Sequence, residues 1–133
     1  MKARGVSALA IELNHDEGTV MTGDEFPVAV RLRNRGNGPD FNVAMLLRLP
    51  PELEFVHARG PVKHRSDEAT SGIGSVVSFI AMPEFGEKTS VDFEIRLRAK
   101  LPGKAKLRAE VVSDEVPDPI GSETFVVVLD GSP

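Results

Sequence analysis

Val91-Asp92-Phe93-Glu94-Ile95-Arg96-Leu97-Arg98-Ala99 alternates apolar and charged residues without a break. A period of two sends every second side chain to the same face of an extended chain. Wound into a helix, these residues would scatter about the axis and leave no apolar stripe. The stretch therefore reads as a strand with one dry face and one solvated face. The same alternation recurs in Leu9, Ile11 and Leu13, in Phe26, Val28, Val30 and Leu32, in Val43, Met45, Leu47 and Leu49, and in Ala105, Leu107, Ala109 and Val111.

Turn residues punctuate these runs. Asn14-His15-Asp16-Glu17-Gly18, Thr22-Gly23-Asp24, Asn34 to Asp40, Pro50-Pro51, Gly60-Pro61 and Val116 to Gly121 all read as breaks. The first strand is expected from Ser7 to Asn14. Pro27 lacks a ladder donor, which places it near a strand start or on an edge. Phe55 to Arg59 is short and extended, and Lys63 to Gly74 is polar, contains Gly and Ser, and reads as the most mobile stretch. Val76 to Met82 is strand-like and ends at Pro83. Pro102-Gly103 fits a type II turn, so strands 89–100 and 103–113 are expected to form a hairpin. Thr124 to Leu129 forms the last strand. No segment carries a helical stripe. Such a series of short strands predicts an all-β chain, an antiparallel β-sandwich of about seven or eight strands with little or no helix. A closed barrel is the alternative, and the proline breaks favour crossings between two sheets.

The 133 residues suit a single domain, 1–133, with 1–6 and 130–133 as linker or tail. An apolar share of 41% supports a core, and a charged share of 27% argues against a membrane segment. No apolar run approaches the ~20 residues that span a bilayer. The basic start Met1-Lys2-Ala3-Arg4-Gly5 is not followed by the apolar stretch of a signal peptide. A net charge of −4 argues against nucleic-acid binding. With no cysteine there is no disulfide framework and no thiolate chemistry. Trp and Tyr are absent as well, leaving seven Phe as the aromatic complement.

The order of the punctuation resembles a known family. Val20-Met21-Thr22-Gly23-Asp24-Glu25 leads into a strand that ends in Asn34-Arg35-Gly36-Asn37-Gly38-Pro39. Asn42-Val43 follows, then Leu49-Pro50-Pro51-Glu52-Leu53-Glu54-Phe55-Val56 and Gly60. Phe85-Gly86-Glu87-Lys88, Ala109-Glu110-Val111, Ser113-Asp114 and Asp118-Pro119 complete the pattern. From about residue 19 to 128 the chain is similar to the conserved repeat domain DUF11, with departures at Pro51 and Phe85. The resemblance implies an immunoglobulin-like sandwich, similar in style to CARDB modules, repeated in bacterial and archaeal surface or secreted proteins. It implies an extracellular or cell-surface structural or adhesive unit with no catalytic residues. Its expected partners are neighbouring domains of the same chain or surface proteins, with the isolated domain monomeric.

Candidate chemistry is sparse. His15, His57 and His64 lack the short spacing of a zinc site. Ser75 and Ser78 have no evident base, so no catalytic set emerges and the chain reads as no enzyme. Glu52 and Glu54 read as solvated carboxylates, and Gly36-Asn37-Gly38 lacks the helix of a phosphate loop. Asp114, Glu115 and Asp118 crowd one loop, and Asp16, Glu17 and Asp24 flank another. These are candidates for calcium, which takes 6–8 oxygens, or else acids of a solvated domain junction. The two loops share an end with eight strictly alternating strands and not with seven. The runner-up function is therefore a carbohydrate- or calcium-binding accessory module of a secreted enzyme. The alternating Arg and Lys positions read as a solvated face, with a polyanion-binding stripe as the alternative. Phe125 to Leu129 breaks the alternation with five apolar residues in a row. Val126 and Val128 are taken as the partner-binding face, since a strand apolar on both sides is covered or meets a partner.

Overall fold

The structure, a computed structural model, describes residues 8–15, 18–60, 63–68 and 75–131, without the side chains of 64–68 and 75. Among these residues there is no helix, and eleven strands occur: β1 Leu9–Asn14, β2 Thr19–Met21, β3 Glu25–Asn34, β4 Asp40–Leu49, β5 Leu53–Arg59, β6 His64–Glu68, β7 Ser75–Phe79, β8 Met82–Phe85, β9 Thr89–Ala99, β10 Gly103–Val112 and β11 Ile120–Leu129. One sheet has the order β1-β3-β9-β5. The other runs β2-β11-β10-β4-β7-β6, with β8 also paired to β4. The all-β sandwich expected from the alternation is thus what the chain forms.

The inward sets are those of the sequence pattern. Phe26, Val28, Val30 and Leu32 from β3 and Phe93, Ile95, Leu97 and Ala99 from β9 are buried on the first sheet. They meet Val43, Met45, Leu47 and Leu49 of β4 and Ala105, Leu107, Ala109 and Val111 of β10. Burying a Val, Leu, Ile or Phe side chain stabilises by about 1.5–3 kcal/mol, so these four strands supply most of the driving force. Phe79 and Phe93 meet edge-on, ring centroids 4.5 Å apart.

Several sequence expectations are corrected. Among the described residues there are eleven strands where about seven or eight were expected, and the last begins at Ile120, inside the expected 116–121 break, and not at Thr124. The segments 89–100 and 103–113 are not a hairpin. β9 already pairs with β3 and β5, both its edges are taken, and Leu101-Pro102 carries the chain to the other sheet, where β10 pairs with β11 and β4. The break expected over Asn14 to Gly18 falls where β1, antiparallel to β3, ends at Asn14 and β2, parallel to β11, starts at Thr19. Within the polar stretch 63–74, residues 64–68 form a strand at the sheet edge, paired with β7. Residues 61–62 and 69–74 lie outside the described residues, as do Ser7, Asp16 and Glu17. Pro83 does not end a strand but sits within β8, which pairs with β4 at its start. Pro27, third in β3, fits its expectation: β1 pairs only from Ala29 onward.

Two buried polar side chains tie the far end of the sandwich. Asn34 closes β3, and its Oδ1 accepts from the amides of Ala8 and Gly36 while its Nδ2 donates to the carbonyls of Gly38 and Phe85. All the hydrogen-bonding capacity of the amide oxygen and nitrogen is thereby used. Asp40 opens β4, fully buried, and accepts from Ser113 Oγ at 2.7 Å and from the amides of Phe41 and Glu115. The Asn-x-Gly signature after β3 is therefore a structural clasp.

Candidate partner-binding face

β11 decides the face. It pairs with β10 from Ile120 to Val128, but β2 covers its other edge only at Val127 to Leu129. Val126 and Val128, assigned to the partner face from sequence, are 0% and 2% exposed and belong to the core. The outward residues are the alternate ones, Phe125, Val127 and Leu129, exposed by 46%, 39% and 47%. Glu123 on the same strand carried the missing signal: its charge must face solvent, and steps of two from it reach 125, 127 and 129.

The apolar stripe continues onto β2, where Met21, half-exposed, stands opposite Leu129 in the parallel ladder. Lys104 borders the stripe, with Nζ 4.4 Å from the Phe125 ring centroid. Such a cation over an exposed ring contributes roughly 0.5–1 kcal/mol. Lys106 and Arg108, further along β10, are bound to Glu123 at 3.2 and 2.6 Å. A row of outward apolar residues with a cationic border is thus built by two short ladders.

The remaining outer surface is different in kind. Arg31 grips Asp92 across β3 and β9 with Nε to Oδ1 at 2.7 Å. Arg98 bridges Glu25 and Glu54 at 2.6 and 3.0 Å, linking β3, β9 and β5. Arg48 and Arg108 both reach Glu110. The hydrogen bond from Arg31 holds the Asp92 carboxyl below its usual range. Those from Lys106 and Arg108 do the same for Glu123. Burial opposes ionisation of Glu110, but bonds from Arg48 and Arg108 together outweigh it and its pKa is lowered. Many of the alternating charges of the sequence are therefore held in ion pairs, most of them across strands.

The acid loop is tied into its own surroundings. Both carboxylate oxygens of Asp114 accept from Asn42 Nδ2, at 3.3 and 3.1 Å. Asn42 takes φ 54, which Asn tolerates, and points its amide at that loop. Glu115 contributes its backbone amide to Asp40, and Asp118 is exposed. Asp24, in the other loop, accepts from the Met21 amide and its carbonyl accepts from Ala99, at the opposite end of the sandwich from Asp114. Among the described residues no three His or acidic side chains converge as a metal site requires. Of the histidines, His15 Nε2 lies 3.0 Å from Thr124 Oγ1 and His57 is exposed on β5, while the His64 side chain lies outside the description.

No family model matches the chain. Solved structures share its fold. A cohesin module from a Clostridium perfringens family 33 glycoside hydrolase superposes with a TM-score of 0.59 at 14% identity, covering 96% of this chain and 99% of that one. The CARDB domain of the PF1109 protein of Pyrococcus furiosus, solved with di-metal ions, gives 0.61 at 12% identity over 92% and 89%. AvmM, which catalyses macrocyclisation in alchivemycin A biosynthesis, gives 0.59 at 10% identity over 94% and 90%. The same sandwich serves modules of larger proteins and a catalyst, so function rests on what each surface carries.

Proposed function

We propose that this chain is a non-catalytic structural and adhesive module, of the DUF11 repeat type, within a larger extracellular or cell-surface protein. The observation that carries the reading is the outward stripe of Met21, Phe125, Val127 and Leu129 beside outer strand faces that carry several cross-strand ion pairs. Burying contiguous apolar side chains drives association, while ion-paired faces stay solvated. Similarity of fold to a cohesin module and a CARDB domain supports the modular reading. The partner that fits is a neighbouring domain of the same chain or another surface protein, offering an apolar strip with an acidic rim opposite Lys104.

Two measurements test it. Protease treatment of intact cells making the parent protein should remove the epitope of an antibody raised against this chain. An epitope degraded only after lysis would contradict a surface location. In the parent protein, Val127→Lys with Leu129→Lys should detach the module from its neighbour, seen as loss of interdomain nuclear Overhauser contacts. Retained contacts would refute the stripe as the docking face.

A further inference from the structure

The end of the sandwich that holds Asn34 carries an open depression of about 400 Å³, lined by Arg33, Asn34, Arg35, Lys88, Thr89 and Ser90. The lining brings three cations and two hydroxyls together with no carboxylate. The ladder sets this arrangement, with Arg33 opposite Ser90 and Asn34 opposite Thr89. Lys88 enters from the turn before β9 at φ 57, and its ammonium donates to the Arg35 carbonyl at 2.9 Å. An ammonium has three donors, so two remain for a ligand.

Charge pairing singles this place out. Arg31, Arg48, Arg98 and Arg108 each hold a carboxylate at 2.6 or 2.7 Å. Arg33 pairs with Glu12 only at 4.0 Å, the longest of these contacts. Among the described residues Arg35 has no carboxylate in ion-pair reach, and Glu87, the chain neighbour of Lys88, does not line the depression. A chain of net charge −4 thus gathers Arg35 and Lys88, with no carboxylate in ion-pair reach among the described residues, beside a loosely paired Arg33.

We propose that this depression binds a tetrahedral oxyanion, a sulfate or phosphate group borne by a larger ligand, through Arg33, Arg35, Lys88 and the Ser90 hydroxyl. Guanidinium presents a planar fork to oxyanion oxygens and ammonium a compact charge beside it. The site is open, so affinity for the bare ion falls in the millimolar range, roughly 1–10 mM at low ionic strength.

The test is an amide-shift titration of the whole chain with sodium sulfate against sodium chloride at matched ionic strength. Saturable shifts at Thr89 and Ser90 are expected. Arg35→Gln with Lys88→Gln should weaken binding at least about tenfold without altering the melting temperature, because both side chains are exposed. Arg33→Gln alone should give a smaller loss. A sulfated disaccharide and glycerol phosphate distinguish the sources: tighter saturation by the first assigns a sulfated glycan, and by the second a phosphate ester. Linear shifts, shifts equal at Lys104 and Lys106, or unchanged binding in the folded variants would overturn the site.

Discussion

Ser113 Oγ donates to Asp40 Oδ2 at 2.7 Å, and the pair is shut away from solvent between the start of β4 and the loop after β10. The Ser113 hydroxyl also accepts from the Val116 amide, and Asp40 accepts from Phe41 and Glu115. One carboxylate thus organises a whole loop. Asp40→Ala removes the acceptor and leaves buried donors without partners, at a cost of about 2–4 kcal/mol. Ser113→Ala loses one bond of the set and costs about 1 kcal/mol. Chemical denaturation checks both, and equal effects for the two variants would contradict the ranking.

Gly60 ends β5 against the face of a core ring. A Cβ built there would stand 2.6 Å from Cδ2 of Phe93, whose side chain is buried and packed on Phe79. Overpacking of this kind costs about 1–3 kcal/mol, so Gly60→Ala should lower stability by that amount. Phe93→Leu opens the space, and the double variant should lose less than the sum of the two singles. Strict additivity would show that the ring is not the obstacle.

Alternation made the sandwich legible, and its failures mark where tertiary context decides. β3, β4, β9 and β10 are long, and each charged residue between apolar ones fixes which side is wet. β2 is three residues and β6 is polar throughout its length, so neither has a period to read. Pro102-Gly103 looks like a hairpin turn locally, but whether two strands pair or part depends on which edges are already occupied. On β11, five successive apolar residues hide the parity, and only Glu123 upstream restores it. The candidate oxyanion hollow was illegible because Lys88 and Ser90 reach Arg33 and Arg35 only through the pairing of β3 with β9, far apart in sequence.

The carboxyl groups of Asp92, Glu110 and Glu123 all titrate below their usual values of 3.8 and 4.5. In the unfolded chain they bind protons more readily than in the folded one, so acid favours unfolding. The stabilisation is complete above about pH 4.5 and is lost as pH falls through the lowered folded-state values. Melting temperature should be flat from neutral pH down to that point and then fall. Glu110→Gln should lessen the fall, and molar salt should weaken the ion pairs at neutral pH. An acid limb unchanged by that substitution would remove Glu110 from the account.

The two faces of β11 give opposite expectations for one chemical change. Val126→Lys puts an ammonium into a site with no solvent access, and should unfold the chain at ordinary temperatures. Val127→Lys, one residue on, puts the same group into water beside Lys104 and should alter stability by no more than about 0.5 kcal/mol. Leu129→Lys should behave likewise, because its side chain also faces outward. Thermal melts of the three variants separate core from face, and a stable Val126→Lys would reverse the assignment of the strand. The outward pair is thus free to change for a reason other than folding, which is what a docking face requires.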